Sequence, residues 1–257
     1  MCLILIAWQV HPAYPCVVAA NRDEFFARPS AAMRYWDDRP QVLAGRDLRA
    51  GGTWMGLDRR GRLAALTNFR EPENQRPDAP SRGELVSDFL TGDMDARDFW
   101  LASKPKAYNG FNLILGELNG ELWHFSNRGT SAGQKLAPGI YGLSNHLLDT
   151  PWPKVARGKS ELANSLQSLP DDSPLFHLLR DDGIHDDAKL PRTGVNWEWE
   201  RLLSAAFVRS PNYGTCSSTV LMLDRHEVVT IDEQSFHQTG ELTTRNRFRF
   251  KLKPSPA

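Results

Sequence analysis

The sequence has few cysteines, no surplus of either charge and no long apolar run, and each shortage excludes a class of protein. Three cysteines occur in 257 residues, without a Cys-x-x-Cys pair, which argues against a disulfide-stapled secreted domain and against a structural zinc site. Basic and acidic residues both number 31, which argues against a nucleic-acid-binding protein. No segment reaches the roughly 18 apolar residues of a membrane span. We expect a cytoplasmic protein without nucleic-acid partners or integral membrane association.

What the chain does have is ample apolar material, since hydrophobic residues make up 40% of it. No repeat or linker divides it, so we predict a single domain over residues 1–257. Short apolar runs pair into hairpins, beginning with Leu3–Trp8 and Cys16–Ala20 across a turn-rich segment. The clearest helical spacing falls in the middle of the chain, most of all over Trp152–Leu169. Hairpins with helices grouped between them indicate an α+β fold with antiparallel sheets.

Cys2 stands directly before the first apolar run. Methionine aminopeptidase removes Met1 when the following side chain is small, and the chain would then begin with a residue that carries both a thiol and a free α-amine. The amine can take the thiol proton, which is the logic of an N-terminal nucleophile. We expect such a thiol to have a pKa below its free value of about 8.5. The alternative is that Cys2 is a small apolar residue at a strand end.

Polar residues follow several of the strand-like runs. Asn21 and Asp23 follow CVVAA, Asn68 follows LAALT, and Asn145 follows IYGLS. If neighbouring strands bring these ends together near Cys2, the group suits attack of a thiol on an amide. Asparagine N–H groups can stabilise the oxyanion that forms, and an aspartate can orient the α-ammonium. The alternative is that Asn and Asp simply end strands and begin turns.

Long segments of the chain resemble one family throughout. AANRDEFFARP, GGTWMGLDRRGRLAALTNFR, YGLSNHLLDTPWPK and YGTCSSTV occur in this order between Met1 and about Gln234, and they resemble the NRDE family, whose eukaryotic members are the transport and Golgi organisation two homologues. The resemblance implies the fold of N-terminal-nucleophile (Ntn) hydrolases, close to the penicillin V acylase and choloylglycine hydrolase group. That fold is a four-layer αββα sandwich, with two stacked antiparallel sheets flanked by helices.

The resemblance also implies residue roles. It makes Cys2 the nucleophile and Asp23 the aspartate that supports it, and Asn68 and Asn145 match the other polar catalytic positions. The arginine of the acylase motif falls on Ala20, which is a departure from the group's pattern. We predict that the substrate is bound by a further set: Asn21, Arg22, Trp54, Arg70 and, as the nearest match to a late acylase arginine, Arg209. Strand alternation should point Arg22 and Asp23 to different faces.

Two functions of different classes remain open on the sequence. The first is hydrolysis of a linear, non-peptide amide by Cys2, which needs no cofactor or metal. The second is a carrier that uses the same cleft for haem or for an acyl ligand such as a lipid or an acyl-coenzyme A, as proposed for NRDE proteins. The absence of Cys-x-x-Cys-His excludes covalent c-type haem attachment. The nitrogen and sulfur donors then available for haem include Cys2, Cys16, Cys216, His11, His124 and His146.

Overall fold

The computed structural model describes residues 2–130 and 132–253. Met1, and with it the question of its removal, lies outside these ranges. The strands are β1 (Cys2–Trp8), β2 (Cys16–Phe25), β3 (Ser30–Tyr35), β4 (Val42–Asp47), β5 (Met55–Asp58), β6 (Arg62–Asn68), β7 (Phe111–Glu117), β8 (Leu122–Ser126), β9 (Gln134–Lys135), β10 (Gly139–Leu143), β11 (Tyr213–Leu223), β12 (Val228–Phe236) and β13 (Leu242–Lys251). The α-helices are α1 (Gly83–Thr91), α2 (Ala96–Ala102), α3 (Pro153–Ser165), α4 (Ser173–Leu179) and α5 (Trp197–Leu202).

The strands form two antiparallel sheets. The first has the order β10-β1-β2-β11-β12-β13, and the second runs from β3 to β9 in chain order. In the first sheet, β10 and β11 come from distant parts of the chain and pair on either side of the β1–β2 hairpin. The beginning of the chain therefore lies inside a sheet and not at its edge.

Side-chain alternation along β1 places it between two apolar layers. Ile4 and Ile6 belong to the core between the two sheets, whereas Leu3 and Leu5 pack toward α3 and α4. This is why β1 reads as an unbroken apolar run, since both of its faces are buried. Helices α1 and α2 cover the outer face of the second sheet in the same way, through residues such as Phe89. The layers are helix, sheet, sheet and helix, so the predicted αββα sandwich is confirmed.

Most of the predicted elements are present, including the first hairpin and the long helix beginning after Trp152. The sequence did not predict β3, β4, β9 or α5. Strand β3 is an edge strand of exposed and half-buried residues, so it lacks an apolar run, and α5 has only six residues. No helix in the described ranges is both long and apolar enough to cross a membrane.

Candidate active site

A cleft of about 800 Å³ opens where the ends of the two sheets meet. The first sheet contributes Cys2 and Arg22 to its lining, and the second contributes Trp54 and Asn68. The loop that follows β6 forms a further wall and includes Arg76, which is tied to the backbone carbonyl of Lys106 by a 3.3 Å hydrogen bond. Most residues of this loop are exposed, and Arg76, Pro77, Ala79 and Pro80 line the cleft.

Cys2 and Arg22 are directly opposite each other on β1 and β2. Cross-strand partners share a face of the sheet, so both side chains lie on the side of Ile4 and Ala20, which faces the second sheet. Arg22 therefore occupies the same face as Ala20, where the acylase arginine would stand, one pleat further along β2. As predicted, Asp23 follows Arg22 with its side chain on the opposite face.

Asp23 is buried under the helical layer. Its Oδ1 accepts a 2.7 Å hydrogen bond from Thr215 Oγ1 on β11, beside a bulge in the β2–β11 pairing. Lys154, at the first turn of α3, is close enough for its charge to act on this carboxyl group. Lys154 is only 3% exposed, and its Nζ has no hydrogen-bond partner among the described residues. A buried cation thus stands near the predicted catalytic aspartate.

Burial dominates the proton equilibria of these groups. It raises the pKa of the Cys2 thiol, although a hydrogen bond from the Asp23 backbone and the charge of Arg22 act in the opposite direction. It also raises the pKa of Asp23 and lowers the pKa of Lys154 to about 8. In the chain that still carries Met1, desolvation of the thiolate outweighs the neighbouring charges. The lowered thiol pKa expected after removal of Met1 stays a prediction.

Asn68 and Asn145 are joined, but only Asn68 lines the cleft. The side-chain Nδ2 of Asn145 donates a 2.9 Å hydrogen bond to the backbone carbonyl of Asn68. Ser144 links this pair to the first strand, because its one hydroxyl proton can be shared between two acceptors, the Cys2 carbonyl at 3.1 Å and Oδ1 of Asn145 at 3.2 Å. Asn145 is fully buried and Asn68 half-buried. Geometry thus makes Asn145 a positioning residue for Asn68.

Two glycines bring another cationic side chain to the cleft. A Cβ on Gly52 would lie 2.5 Å from the carbonyl carbon of Gly83, so only glycine permits this approach. The neighbouring Thr53 backbone N–H donates to the Gly83 carbonyl at 3.2 Å. Gly83 begins α1 directly after Arg82, which lines the cleft. The GGTW segment therefore fixes the position of Arg82.

Three predicted substrate-binding residues lie outside the cleft, which corrects their placement. Asn21 points to the helical layer, where its Nδ2 donates to the carbonyls of Leu179 and Ala206, both at 2.8 Å. Arg70 is buried in a 2.8 Å ion pair with Glu200. Arg209 pairs with Asp182 at 2.9 Å on the surface, because the segment before β11 turns its side chain outward.

The sequence reasoning missed Lys154, Arg82 and Glu233. Glu233 lines the cleft from β12, and its Oε1 accepts a 2.6 Å hydrogen bond from the Met33 backbone across the two sheets. Lys154 lies within the segment YGLSNHLLDTPWPK, which drew attention to Asn145 alone. A lysine following Pro153 at the start of an apolar helix face was the available signal.

The donors considered for haem are scattered. His124 is buried, with Nε2 3.3 Å from Asn112 Oδ1, and burial lowers its pKa to about 4. His146 lines a separate pocket of about 490 Å³ with Trp152. The described residues contain no group of three or more His, Cys, Asp or Glu side chains placed to hold a metal ion. Cys2 and Cys216 are the soft donors in the cleft lining.

The described residues thus form an αββα sandwich whose first strand begins with a cysteine that lines the cleft, beside a buried aspartate and a paired set of asparagines. The chain belongs to the Transport and Golgi organisation 2 family, whose family model matches residues 1–238.

Relatives from animals are similar over nearly their whole length. The Transport and Golgi organization protein 2 homolog of Bos taurus is 38% identical over 277 residues, which cover 98% of this chain and all of the relative. The Homo sapiens homolog is also 38% identical, over 91% of this chain and 93% of its own length. The Drosophila melanogaster protein of the same name is 25% identical over 91% of this chain and 92% of its own length.

Two solved structures align with much lower identity. A mutant conjugated bile acid hydrolase from Clostridium perfringens aligns with 11% identity and a TM-score of 0.42 over 100% of this chain and 99% of that one. A Caenorhabditis elegans N-acylethanolamine-hydrolyzing acid amidase ortholog aligns with 11% identity and a TM-score of 0.43, over 85% of this chain and 92% of its own.

Proposed function

We propose that this protein hydrolyses a linear, non-peptide amide, with Cys2 as its nucleophile after removal of Met1. The observation that carries the proposal is the place of Cys2 at the beginning of β1, in the cleft, opposite Arg22 and beside Asp23. Removal of one residue would convert the backbone nitrogen of Cys2 into a free α-amine within reach of its own thiol. That amine is the base which a buried, protonated thiol needs.

Acylation follows from this geometry. The α-amine takes the thiol proton, directly or through a water, while the sulfur forms a bond to the amide carbonyl carbon. The carbonyl oxygen becomes an oxyanion, which the side-chain N–H of Asn68 stabilises from the opposite wall. When the C–N bond breaks, the α-ammonium gives its proton to the departing amine. The acyl group is left as a thioester on Cys2.

Deacylation repeats these steps with water. The α-amine takes a proton from water as the water oxygen attacks the thioester, and Asn68 again stabilises the oxyanion. The C–S bond then breaks, the sulfur recovers its proton from the α-ammonium, and a carboxylic acid leaves. Asp23 stabilises the α-ammonium in both steps, and the charge of Lys154 favours the ionised form of Asp23.

Carriage of haem or an acyl ligand in the same cleft is the other candidate. A haem carrier would need an axial donor, and the described lining of the cleft supplies the sulfurs of Cys2 and Cys216 and no histidine. Burial raises the pKa of Cys216 to about 11 and also raises that of Cys2, so both disfavour the thiolate form. The donor set therefore fits an amidase better than a haem site.

The amidase proposal is tested by trapping the thioester. Protein from its native cell, with its N-terminus defined by intact mass spectrometry, is mixed with a panel of N-acyl amides and quenched in acid. We expect loss of Met1 and a mass increase equal to the acyl group, mapped to Cys2 and released by hydroxylamine. Retained Met1 with no acyl adduct and no turnover would contradict the proposal, and haem or acyl transfer by that protein would favour the carrier.

A further inference from the structure

The cleft around Cys2 is lined by more cations than anions. Four acidic residues contribute to the lining: Asp23, Glu24, Asp47 and Glu233. The carboxylate of Asp23 is buried on the other face of its sheet, so three carboxylates can face the cleft. The described lining holds no lysine or histidine. Six arginines contribute to it: Arg22, Arg28, Arg46, Arg49, Arg76 and Arg82. A wall of this composition attracts an anionic ligand and focuses its approach.

Most of the carboxylates already have close partners. Asp47 accepts a 2.8 Å hydrogen bond from Arg28 Nε, Asp23 accepts one from Thr215, and Glu233 accepts one from the Met33 backbone. Glu24 Oε1 accepts a 2.9 Å hydrogen bond from the Phe25 backbone N–H, and its other oxygen lies 3.9 Å from both Arg22 and Arg28. The negative charge of the cleft is thus largely engaged by the protein itself.

Arg22 and Arg82, two of the cleft arginines, have no carboxylate at hydrogen-bond distance in the described ranges. The side chain of Arg22 is 12% exposed, and the nearest carboxylate oxygen, on Glu24, is 3.9 Å away. Arg82 Nη1 donates 3.0 Å to the Gly110 carbonyl, and no carboxylate in the described ranges comes within ion-pairing distance of it. The charges of both arginines reach Cys2. Guanidinium groups with unused N–H donors beside a nucleophile suit a carboxylate or phosphate.

We propose that Arg22 and Arg82 form an anion-binding subsite, and that the substrate is an amide bearing a carboxylate or phosphate within reach of the thiol. The amide part of this inference rests on the proposed function, whereas the anion subsite does not. Gly52 and Gly83 hold Arg82 at the subsite, and pairing of β1 with β2 holds Arg22 there. The subsite would orient the amide carbonyl toward Cys2 and Asn68, because a substrate whose anionic group is held in place has little freedom to rotate.

The test measures binding to the Cys2→Ala variant, in which no turnover can occur. Three probes share one acyl chain: N-decanoylglycine carries a carboxylate, N-decanoyl-O-phosphoethanolamine carries a phosphate, and N-decanoylglycinamide is neutral. We expect at least one anionic probe to bind on the order of tenfold or more tightly than the neutral probe by calorimetry. Which anion is preferred separates a carboxylate from a phosphate subsite.

Added substitutions assign the preference to the two arginines. Arg22→Gln and Arg82→Gln should each remove most of the preference for the anion, whereas Arg249→Gln, exposed on β13 outside the cleft lining, should leave it unchanged. Arg82→Lys keeps the positive charge at this position, and it is the variant to measure if Arg82→Gln does not fold. Equal binding of charged and neutral probes, binding of none, or a preference that survives both Gln substitutions would each overturn the subsite.

The outcome is separable from that of the proposed function. Turnover of amides by the parent protein without preference for an anion would overturn the subsite and leave the amidase standing. Anion-selective binding by the Cys2→Ala variant, with no turnover by the parent protein, would support the subsite and contradict the amidase.

Discussion

The side-chain amide of Asn145 donates a 2.9 Å hydrogen bond to the backbone carbonyl of Asn68, and this bond joins a fully buried residue to one that lines the cleft. The loop carrying Asn145 is thereby tied to the end of β6. A second hydrogen bond joins the same two segments, because the Arg70 backbone N–H donates to the Asn145 carbonyl at 2.8 Å. Asn68 is thus held by its neighbours and not by its own side chain, which suits a donor that must face an oxyanion.

Replacement of Asn68 and of Asn145 should therefore have different signatures. Asn68→Ala removes the oxyanion donor and should lower kcat about 10²- to 10³-fold, with little change in stability. Asn145→Ala leaves a buried carbonyl without its donor and should lower the free energy of unfolding by about 1–3 kcal/mol. Steady-state kinetics and urea denaturation of both variants check this. Equal stability of Asn145→Ala and the parent would show that the 2.9 Å bond does not support the site.

Gly52→Ala should disturb the cleft without touching any reacting group. Its Cβ would meet the Gly83 backbone at 2.5 Å, so the start of α1 must shift and carry Arg82 with it. We expect a loss of about 1–3 kcal/mol in unfolding free energy and weaker binding of an anionic probe. Gly51→Ala is a useful comparison because its Cβ would meet nothing within 4 Å, although its φ of +78° adds backbone strain. A Gly52→Ala variant as stable as the parent would contradict the close approach.

The buried ion pair behind the site should be costly to break. Arg70 and Glu200 have side chains 4% and 2% exposed, and Glu200 also accepts two 2.6 Å hydrogen bonds from Thr193. Glu200→Gln would leave the guanidinium buried without its counter-ion and should cost about 3–5 kcal/mol. The exposed pair of Arg34 and Asp37 gives the control, since Asp37→Asn should cost about 0–1 kcal/mol. Similar losses for the two variants in denaturation would argue against a structural role for the buried pair.

Lys154 should make the free energy of unfolding depend on pH in the alkaline range. Burial lowers its pKa from 10.5 to about 8, so the folded state bears the cost of the charged amine below about pH 8. As the pH rises from 8 to 10.5, that cost disappears, and stability from this group rises by about 3 kcal/mol.

Lys154→Met isolates this contribution. The variant should be more stable than the parent at pH 7, and its advantage should shrink between pH 8 and 10.5, measured by denaturation at each pH. Lys159→Met is the control, because Lys159 is half-exposed and paired with Asp149. A difference between Lys154→Met and the parent that stays constant with pH would contradict a lowered pKa.

Local pattern predicted the parts of the site that lie at strand ends. Cys2, Asp23 and Asn68 each follow or begin an apolar run, and pairing of such runs in a sheet brings their ends together. Side-chain alternation along β2 also predicted opposite faces for Arg22 and Asp23. Arg22 then shares the face of Cys2 because the two residues are cross-strand partners. These inferences need the period of a strand and no knowledge of distant contacts.

The remainder depended on packing between segments far apart in the chain. Lys154 comes near Asp23 because α3 packs on the first sheet against β1 and β10, and Arg82 reaches the cleft because two glycine backbones meet. Arg209 was misplaced: its backbone forms an isolated bridge with Gly214, and its side chain pairs with Asp182 outside the cleft. A local hydrophobic pattern predicts neither the packing of α3 on the sheet nor the backbone bridge of Arg209.

The central claim is that Cys2 carries the chemistry, and the most direct measurement compares amide turnover by the parent, Cys2→Ala and Cys16→Ala proteins. Cys16 is fully buried in the core and outside the cleft lining, so its variant controls for loss of a thiol. We predict turnover by the parent and by Cys16→Ala, none by Cys2→Ala, and unchanged substrate binding by Cys2→Ala, because binding energy comes from the cleft walls. Turnover that survives in Cys2→Ala would contradict the account.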